Sequence, residues 1–490
     1  MKRLIITVLA CMMVLSLSAQ IDTDWNQRVR ESQQNAREEY EKFRQQAQQE
    51  YNDFRRRANE EYARFMANPW TAFETQPAEE IPKLPKPPTP VLADPNSHPE
   101  PLPIPVENKP VPPVPVVHPE PVEPISPTVK PNAPETVIRF YGTDIVFHLP
   151  DANSLHMKDA SEKSVSALWK QLSDPVFDNM IAECLQNRNE LNLCDWGYIM
   201  LTEQVAETFC GGHSNEAVVL HMYLLTQSGF QMRIGRAGNR LCVLVGSDAK
   251  IYRYRFFRIN NTNYYCFDNS IDNKTFHVFN RTFPKEKLMC LDMSQPKLAV
   301  KKTEPKTHVS KRFPKVKVSV VLNQNLIDFY NSCPINSEWE LYSKASLSDM
   351  AKDSLYPVLR KAIAGKTQAQ AANILLNFVQ TGFAYATDQQ QFGYERPLYP
   401  DESLYYPYCD CEDRSILFAC LVREVMGLEV VLLDYPEHIS TAVCFTEDVE
   451  GDYLMLDNKK YVACDPTYIG ADIGMSMPSM RKYSPAIVTF

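Results

Sequence analysis

Three side chains near the C-terminal end of this sequence have the types, and the order along the chain, that thiol chemistry on a carbonyl group requires. Cys411 could act as a nucleophile, His438 as the base that takes the thiol proton, and Asp465 as the carboxylate that orients the imidazole. His438 is the only histidine after His308, so a C-terminal domain with a histidine base has one choice. The ordered set, more than the cysteine alone, indicates a site.

The pattern around Cys411 predicts how the thiol is held. Apolar residues follow it at helical spacing until Gly427, which predicts an amphipathic helix ended by a glycine cap, with Asp410 as its N-cap. The thiol would lie at a helix N-terminus, where the dipole favours the thiolate. The acidic neighbours Glu412 and Asp413 oppose that effect.

Strand-like runs at 428–434, 438–445 and 461–464 come after this helix, and Asp465 directly follows the last of them. A base on one strand and a carboxylate on another is the layout that thiol–imidazole chemistry needs. The alternative interpretation is that Cys411 only packs in a core, because free cysteine is among the most buried residue types.

The segment D-C-E-D-R-S-I-L-F that contains Cys411, the following L-V-R, the single His438 and the signature Asp465-Pro466-Thr467 together resemble the transglutaminase-like family of papain-type folds. The resemblance covers roughly 355–474. It implies that Cys411 is the nucleophile, that His438 is the general base and then the acid, and that Asp465 holds the imidazole.

An earlier part of the chain resembles this segment. With Gly229 set on Gly427, His213 falls on Cys411 and Arg240 on His438; an offset smaller by one residue sets Asp268 on Asp465. This first copy has no imidazole at the base position, so we expect it to be degenerate and to serve packing or substrate binding.

The expected fold is therefore α+β, with two tandem papain/transglutaminase-like domains at 135–296 and 318–490. We expect the basic segment 297–317 between them to be a solvated linker. A polar, tyrosine-rich loop at 389–408 is expected to form one lip of a substrate groove.

Different segments precede the two domains. Residues 1–20 have the pattern of a secretory signal peptide, which predicts an exported protein that is periplasmic, on the cell surface or extracellular. Residues 21–70 carry an 11-residue unit, A-x-x-E-Y-x-x-F, repeated three times, which predicts a long helix. This helix could self-associate as a coiled coil, dock on a partner, or lie on the globular domains. Residues 71–134 are proline-rich and predict an extended spacer.

Composition excludes several classes of function. The net charge of −9 argues against a general nucleic-acid binder. No glycine-rich phosphate loop or spaced cluster of metal ligands is present, so we expect no cofactor and no metal. No run after the signal segment is apolar enough to predict a transmembrane helix. Many of the cysteines lie inside apolar runs, which indicates small buried hydrophobes more than disulfides.

Three functions remain open. The first is thiol-dependent acyl transfer or amide hydrolysis on a protein or peptide substrate, which would make the chain an enzyme of transglutaminase-like or cysteine peptidase-like type. The second is a non-catalytic scaffold or binding protein of the cell envelope. The third is a peptidoglycan amidase with the same three residues.

Overall fold

The computed structural model describes residues 2–82, 86, 89–94, 100–105, 134–150, 155–271, 273–336 and 338–490. The chain divides into two compact units, Met1–Tyr62 and Ala63–Phe490. Helices and antiparallel sheets are mixed along the chain, so the α+β class is confirmed.

The first unit consists of helix α1, which spans Lys2–Met66 and so runs a few residues into the second unit. Glutamine and arginine side chains bond to acidic side chains one turn away, as in the pairs Gln46–Glu50 and Arg56–Glu60. The repeat aromatics Tyr40 and Phe43 are 63% and 70% exposed. The predictions of a signal peptide and of a partner for this helix stay predictions. Among the described residues, no helix has the length and apolar character needed to span a membrane.

The second unit contains two larger sheets and the helices around them. The elements that lead to and form the first sheet are β1 (Thr71–Glu74), the hairpin β2 (Glu135–Phe140) and β3 (Thr143–His148), α2 (Glu162–Leu172), a 3₁₀ turn (Pro175–Phe177), α3 (Asp178–Glu190), α4 (Asp195–Cys210), α5 (Asn215–Gln227), β4 (Met232–Ala237), β5 (Arg240–Ser247), β6 (Arg255–Ile259), β7 (Thr262–Cys266) and β8 (Thr275–Phe279).

The elements after the first sheet are β9 (Lys306–Val309), β10 (Lys317–Val320), α6 (Gln324–Ser332), α7 (Trp339–Lys344), α8 (Asp349–Ile363), α9 (Gln368–Gly382), α10 (Asp388–Gln391), α11 (Pro400–Tyr405), α12 (Cys411–Leu421), a π-helical turn (Val422–Met426), β11 (Glu429–Tyr435), β12 (His438–Cys444), β13 (Tyr453–Leu456), β14 (Lys459–Cys464) and β15 (Ala486–Val488).

The two larger sheets have the same strand order. The first sheet is ordered β1-β8-β4-β5-β7-β6, and the second is ordered β15-β11-β12-β14-β13. Apart from β1, the strands of the two sheets correspond one to one and in the same chain order: β4 to β11, β5 to β12, β6 to β13, β7 to β14 and β8 to β15. A helix leads directly into each sheet, α5 into β4 and α12 into β11. The chain therefore repeats one arrangement of a helix followed by five strands.

Helix α12 is buried along its whole length, from Cys411 to Leu421. The prediction of an amphipathic helix is wrong, because the polar residues of its first turn are as buried as its apolar ones. The helix contacts β12 and β11 as well as helices α7, α9 and α11. The helical bounds agree with the prediction: Asp410 is the N-cap, and Gly427 ends the π-helical turn in the left-handed region at φ 68°.

The first part of the proline-rich segment is not a free spacer. Strand β1 pairs with β8. Leu92 and Pro103 form parallel bridges to Ile469 and Tyr453, and Val91, Ala93 and Ile104 pack against the core of the second sheet. The spacer prediction is therefore wrong for the described residues between 71 and 105, because backbone pairing and apolar side chains hold this stretch on the second unit. Residues 106–133, which the same prediction covers, lie outside the described residues.

The basic segment 297–317 is also more than a solvated linker. Strand β9 lies within it and pairs antiparallel with β10, which begins at Lys317. His308 of β9 is buried and stacks on Phe383 with ring centroids 4.4 Å apart. The alternation of lysine with apolar residues in this segment is a strand pattern, with one face of the hairpin packed on the core.

Candidate functional site

His438 and Asp465 are brought together by two paired strands of the second sheet. His438 is the first residue of β12, Asp465 follows the last residue of β14, and Thr441 of β12 pairs with Cys464 of β14. His438 Nε2 lies 2.8 Å from Asp465 Oδ2, and each side chain is 4% exposed. Because Nε2 is engaged by the carboxylate, Nδ1 is the ring nitrogen that could take a proton from a thiol.

Asp465 is itself held in place by backbone groups and a glutamine. Its Oδ1 accepts hydrogen bonds from the N–H groups of Thr467 and Tyr468 at 2.9 and 3.1 Å. Gln380 of α9 is buried, and its Nε2 lies 2.9–3.1 Å from the carbonyl oxygens of Asp465, Tyr468 and Ala471. Hydrogen bonds therefore hold both the carboxylate of Asp465 and the backbone that carries it.

Cys411 lies at the N-terminus of α12, and a hydrogen bond fixes this helix against the start of β12. Ser415, one turn after Cys411 on the same helix face, donates from Oγ to the carbonyl oxygen of Ile439 at 2.9 Å. The backbone N–H of Ile439 acts on the Cys411 thiol and favours its ionised form. The start of the helix thus faces the start of the strand that carries His438.

The thiol makes its hydrogen bond elsewhere in this structure. Cys411 Sγ donates to Glu412 Oε2 at 3.1 Å, and no hydrogen bond joins Sγ to His438 within the described chain. Burial, and after it the charge of Glu412, raise the pKa of the Cys411 thiol well above its usual value, although Lys86 and the Ile439 N–H act in the opposite direction. The expectation that the helix N-terminus favours the thiolate is not met here, because burial and a carboxylate outweigh the dipole.

A lysine from the proline-rich segment occupies the space beside Cys411. Lys86 Nζ donates to Glu395 Oε2 and Asp410 Oδ2, each at 2.8 Å, and also to Glu412 Oε1. The Lys86 side chain is 1% exposed, although Lys86 is separated from these partners by more than 300 residues in sequence. Lys86 therefore covers this part of the site.

We call the buried acidic groups around Lys86 the carboxylate cage; its members are Asp388, Glu395, Asp410, Glu412 and Asp413. Oxygen atoms of these side chains lie within 4.8 Å of one another in groups of three, a spacing that suits a cation. Three of the five, Glu395, Asp410 and Glu412, bind the Lys86 ammonium as their cation.

The members of the cage differ in protonation. Burial, followed by neighbouring carboxylates, raises the pKa of Asp388 to about 9 and that of Asp413 to about 8, and it raises the pKa of Asp410 as well. Burial opposes ionisation of Glu412 too, but Lys86 and hydrogen bonds from its neighbours outweigh burial and lower the pKa of Glu412. At neutral pH the cage therefore holds a Lys86–Glu412 ion pair beside neutral Asp388 and Asp413.

Sequence reasoning missed the functional surroundings of the three candidate residues. It placed Lys86 in a spacer and gave no role to Glu395 or Gln380. The only available signal was the density of acids around Cys411, which was interpreted as an influence on the thiol and not as a binding site for a lysine.

The positions that align with the three candidates also meet in the first copy. Arg240 Nη2 lies 3.1 Å and His213 Nε2 lies 3.5 Å from Asp268 Oδ2, and His213 Nδ1 is 2.8 Å from Glu207 Oε1. Cys210 ends helix α4, and burial raises the pKa of its thiol to about 12. This cluster is a network of polar contacts around the Arg240–Asp268 ion pair, and it has no thiol in the position of Cys411.

Comparisons with protein-family models, with curated proteins and with solved structures found no match for this chain. A function for the protein is therefore argued from the geometry of the site.

Proposed function

We propose that this protein is a thiol-dependent acyltransferase or amide hydrolase of the transglutaminase-like type, acting on protein or peptide substrates through Cys411, His438 and Asp465. The observation that carries the proposal is the buried 2.8 Å contact between His438 and Asp465, which orients the imidazole at the strand end that the Cys411 helix faces. Two tandem domains of papain/transglutaminase-like type, the first degenerate, are part of this proposal, and the repeated strand order supports them.

The proposed reaction has two stages. His438 Nδ1 takes the proton of Cys411, and the sulfur attacks an amide carbonyl carbon while the Cys411 backbone N–H helps to stabilise the oxyanion. The C–N bond then breaks, the leaving ammonia or amine takes the proton from His438, and a thioester remains on Cys411. Water or a second amine attacks the thioester, loses its proton to His438 and releases the thiol. Water gives hydrolysis, whereas an amine gives a cross-link.

The burial of Cys411 limits the access of a substrate to its sulfur. Cys411 is 2% exposed, and the Lys86–Glu412 pair lies beside its sulfur. For substrate to reach the sulfur, Lys86 must leave the carboxylate cage, and the thiol must exchange its bond to Glu412 for one to His438. We therefore propose that the described structure is a closed form of the enzyme.

The same features favour a second candidate function, a non-catalytic scaffold or binding protein of the cell envelope. Burial and Glu412 raise the pKa of the thiol, as expected for a structural cysteine. In either case we propose that the protein is exported and that helix α1 provides self-association.

Release of ammonia from a glutamine-containing peptide tests the proposal, with and without an added primary amine. The wild-type chain should release ammonia, while Cys411→Ala and His438→Ala should not; His277→Ala is the matched control, because His277 lies exposed on β8. Amine incorporation would assign cross-linking, and cleavage of muropeptides in a parallel assay would assign the amidase. A wild-type chain that acts on neither substrate, with Cys411 unreactive to alkylation in the folded state, would favour the scaffold.

A further inference from the structure

One cavity lies over the first copy, and Cys411 is not among the residues that line it. Its volume is about 500 Å³, which is in the range of small-molecule binding sites. His213 and Asp268 of the first-copy cluster line one side, and Tyr394 and Arg396, from the tyrosine-rich loop at 389–408, line another. The cavity thus occupies, in the first copy, the place that the candidate site occupies in the second.

One wall of the cavity has the chemistry of an ammonium site. Phe267 makes edge contacts with Trp196 and Tyr254, with ring centroids 4.9 and 4.8 Å apart, so the three rings form an angular aromatic wall. The carboxyl groups of Glu203 and Asp268 line the same cavity. Aromatic faces beside carboxylates attract alkylammonium groups by cation–π and Coulomb interactions.

Two residues on the cavity lining each have a buried polar atom with no hydrogen-bond partner in the described protein. His221 is 6% exposed, its Nε2 makes no hydrogen bond, and the backbone of Ile199 bonds to the ring. Burial lowers the pKa of His221 to about 3, so the ring is neutral and Nε2 can accept a hydrogen bond.

The second atom is Nη1 of Arg396, whose side chain is 8% exposed. Nη2 of the same guanidinium donates to Asn331 Oδ1 at 2.9 Å and to Glu402 Oε1 at 2.5 Å, so the group is held firmly while Nη1 makes no hydrogen bond. A buried donor or acceptor left unpaired costs about 1–3 kcal/mol. Two residues that line one cavity thus each have an unpaired polar atom, which favours a polar ligand in this cavity.

We propose that this cavity binds a small zwitterion, an amino acid or short peptide, with its ammonium group against Glu203, Asp268 and the aromatic wall and its carboxylate against Arg396. His221 Nε2 accepts a hydrogen bond from an N–H group of the ligand. The first copy is then a recognition module that has a binding cavity where the second copy has a thiol. This proposal stands independently of the chemistry proposed for Cys411.

Binding of dipeptides to the full chain tests the proposal, with Cys411→Ser as the background so that no peptide is consumed. The probe is a pool of Xaa-Ala dipeptides, followed by saturation-transfer NMR and then by calorimetry for the members that bind. The N-acetylated pool and the C-amidated pool are the matched ligands. We expect binding of the free dipeptides and loss of binding for both modified pools.

Two substitutions locate the binding. Glu203→Gln and Asp268→Asn should each weaken the affinity about tenfold or more. Glu429→Gln is the control, since Glu429 is exposed and pairs with the exposed Lys459 of the second sheet. Absence of binding by every free dipeptide, equal binding of the acetylated pool, or affinities unchanged in both variants would each overturn the proposal.

Discussion

His438 Nε2 and Asp465 Oδ2 lie 2.8 Å apart on neighbouring strands, and both side chains are almost fully buried. This contact sets the tautomer of the ring, because a carboxylate can only accept at Nε2 and so leaves Nδ1 as the basic nitrogen.

Asp465→Asn should abolish most of the activity without unfolding the protein. The amide can donate to Nε2, which moves the ring proton to Nδ1 and removes the base, so we expect ammonia release to fall on the order of 10²–10⁴-fold. Asp472→Asn is the matched control, because Asp472 is exposed and pairs with Arg312. An Asp465→Asn chain that melts like the wild type and retains full activity would contradict the assigned role of the pair.

Lys86→Met should destabilise the second unit strongly. The substitution leaves Glu412 buried without its counter-ion, and loss of one partner of a buried ion pair costs about 3–5 kcal/mol. Urea denaturation measures the change in the free energy of unfolding. In the control, Lys459→Met, the lysine and its partner Glu429 are exposed, so little change is expected. Equal effects of the two substitutions would mean that Lys86 does not lie in the carboxylate cage in solution.

The stability of the protein should fall as the pH rises from about 4 to about 8. The pKa of Asp388 is about 9 and that of Asp413 about 8 in the folded chain, above the ordinary value of 3.8, so the folded state holds protons that the unfolded state has released. Each such proton contributes a slope of about −1.4 kcal/mol per pH unit across this window.

Asp388→Asn removes one of the two carboxyl groups that hold an extra proton in the folded state. We therefore expect the free energy of unfolding to depend less steeply on pH in this variant than in the wild type, as measured by urea denaturation between pH 5 and 8. Asp472→Asn should leave the wild-type slope unchanged. The same slope in all three chains would show that Asp388 is ionised in the folded state.

Gln380→Leu should weaken both the fold and the activity. The side-chain amide bonds to three carbonyl groups around Asp465, and their loss should cost about 1–3 kcal/mol and loosen the carboxylate that orients His438. Thermal melting and ammonia release measure the two effects. Gln389→Leu changes an exposed glutamine of α10 and should leave both quantities near those of the wild type. Unaltered melting of Gln380→Leu would exclude this supporting role.

Much of the second sheet could be predicted from local patterns. The strand runs expected at 428–434 and 438–445 agree closely with β11 and β12. Alternating apolar residues and β-branched residues favour a strand through local geometry alone, so these bounds could be predicted. The pairing of His438 with Asp465 could be expected for the same reason, since both residues lie at strand ends.

The environment of Cys411 could not be predicted in the same way. The sequence predicted an amphipathic helix, and Glu412 and Asp413 were interpreted only as an influence on the thiol, because charged residues are normally exposed. In the structure Asp410 and Glu412 are buried and bind Lys86, and no local pattern links a lysine among prolines to carboxylates more than 300 residues away. Long-range ion pairing is therefore the reason why the prediction of an amphipathic helix was wrong.

The anchoring of the described residues between 71 and 105 has a practical consequence for any attempt to produce the globular part alone. A chain cut at 135, where the composition changes, would lack β1, and the backbone edge of β8 would be open to pairing with other molecules. It would also lose Lys86, and with it the counter-charge of Glu412. Aggregation of such a fragment would reflect the missing N-terminal stretch, and its boundary should be moved upstream of Thr71.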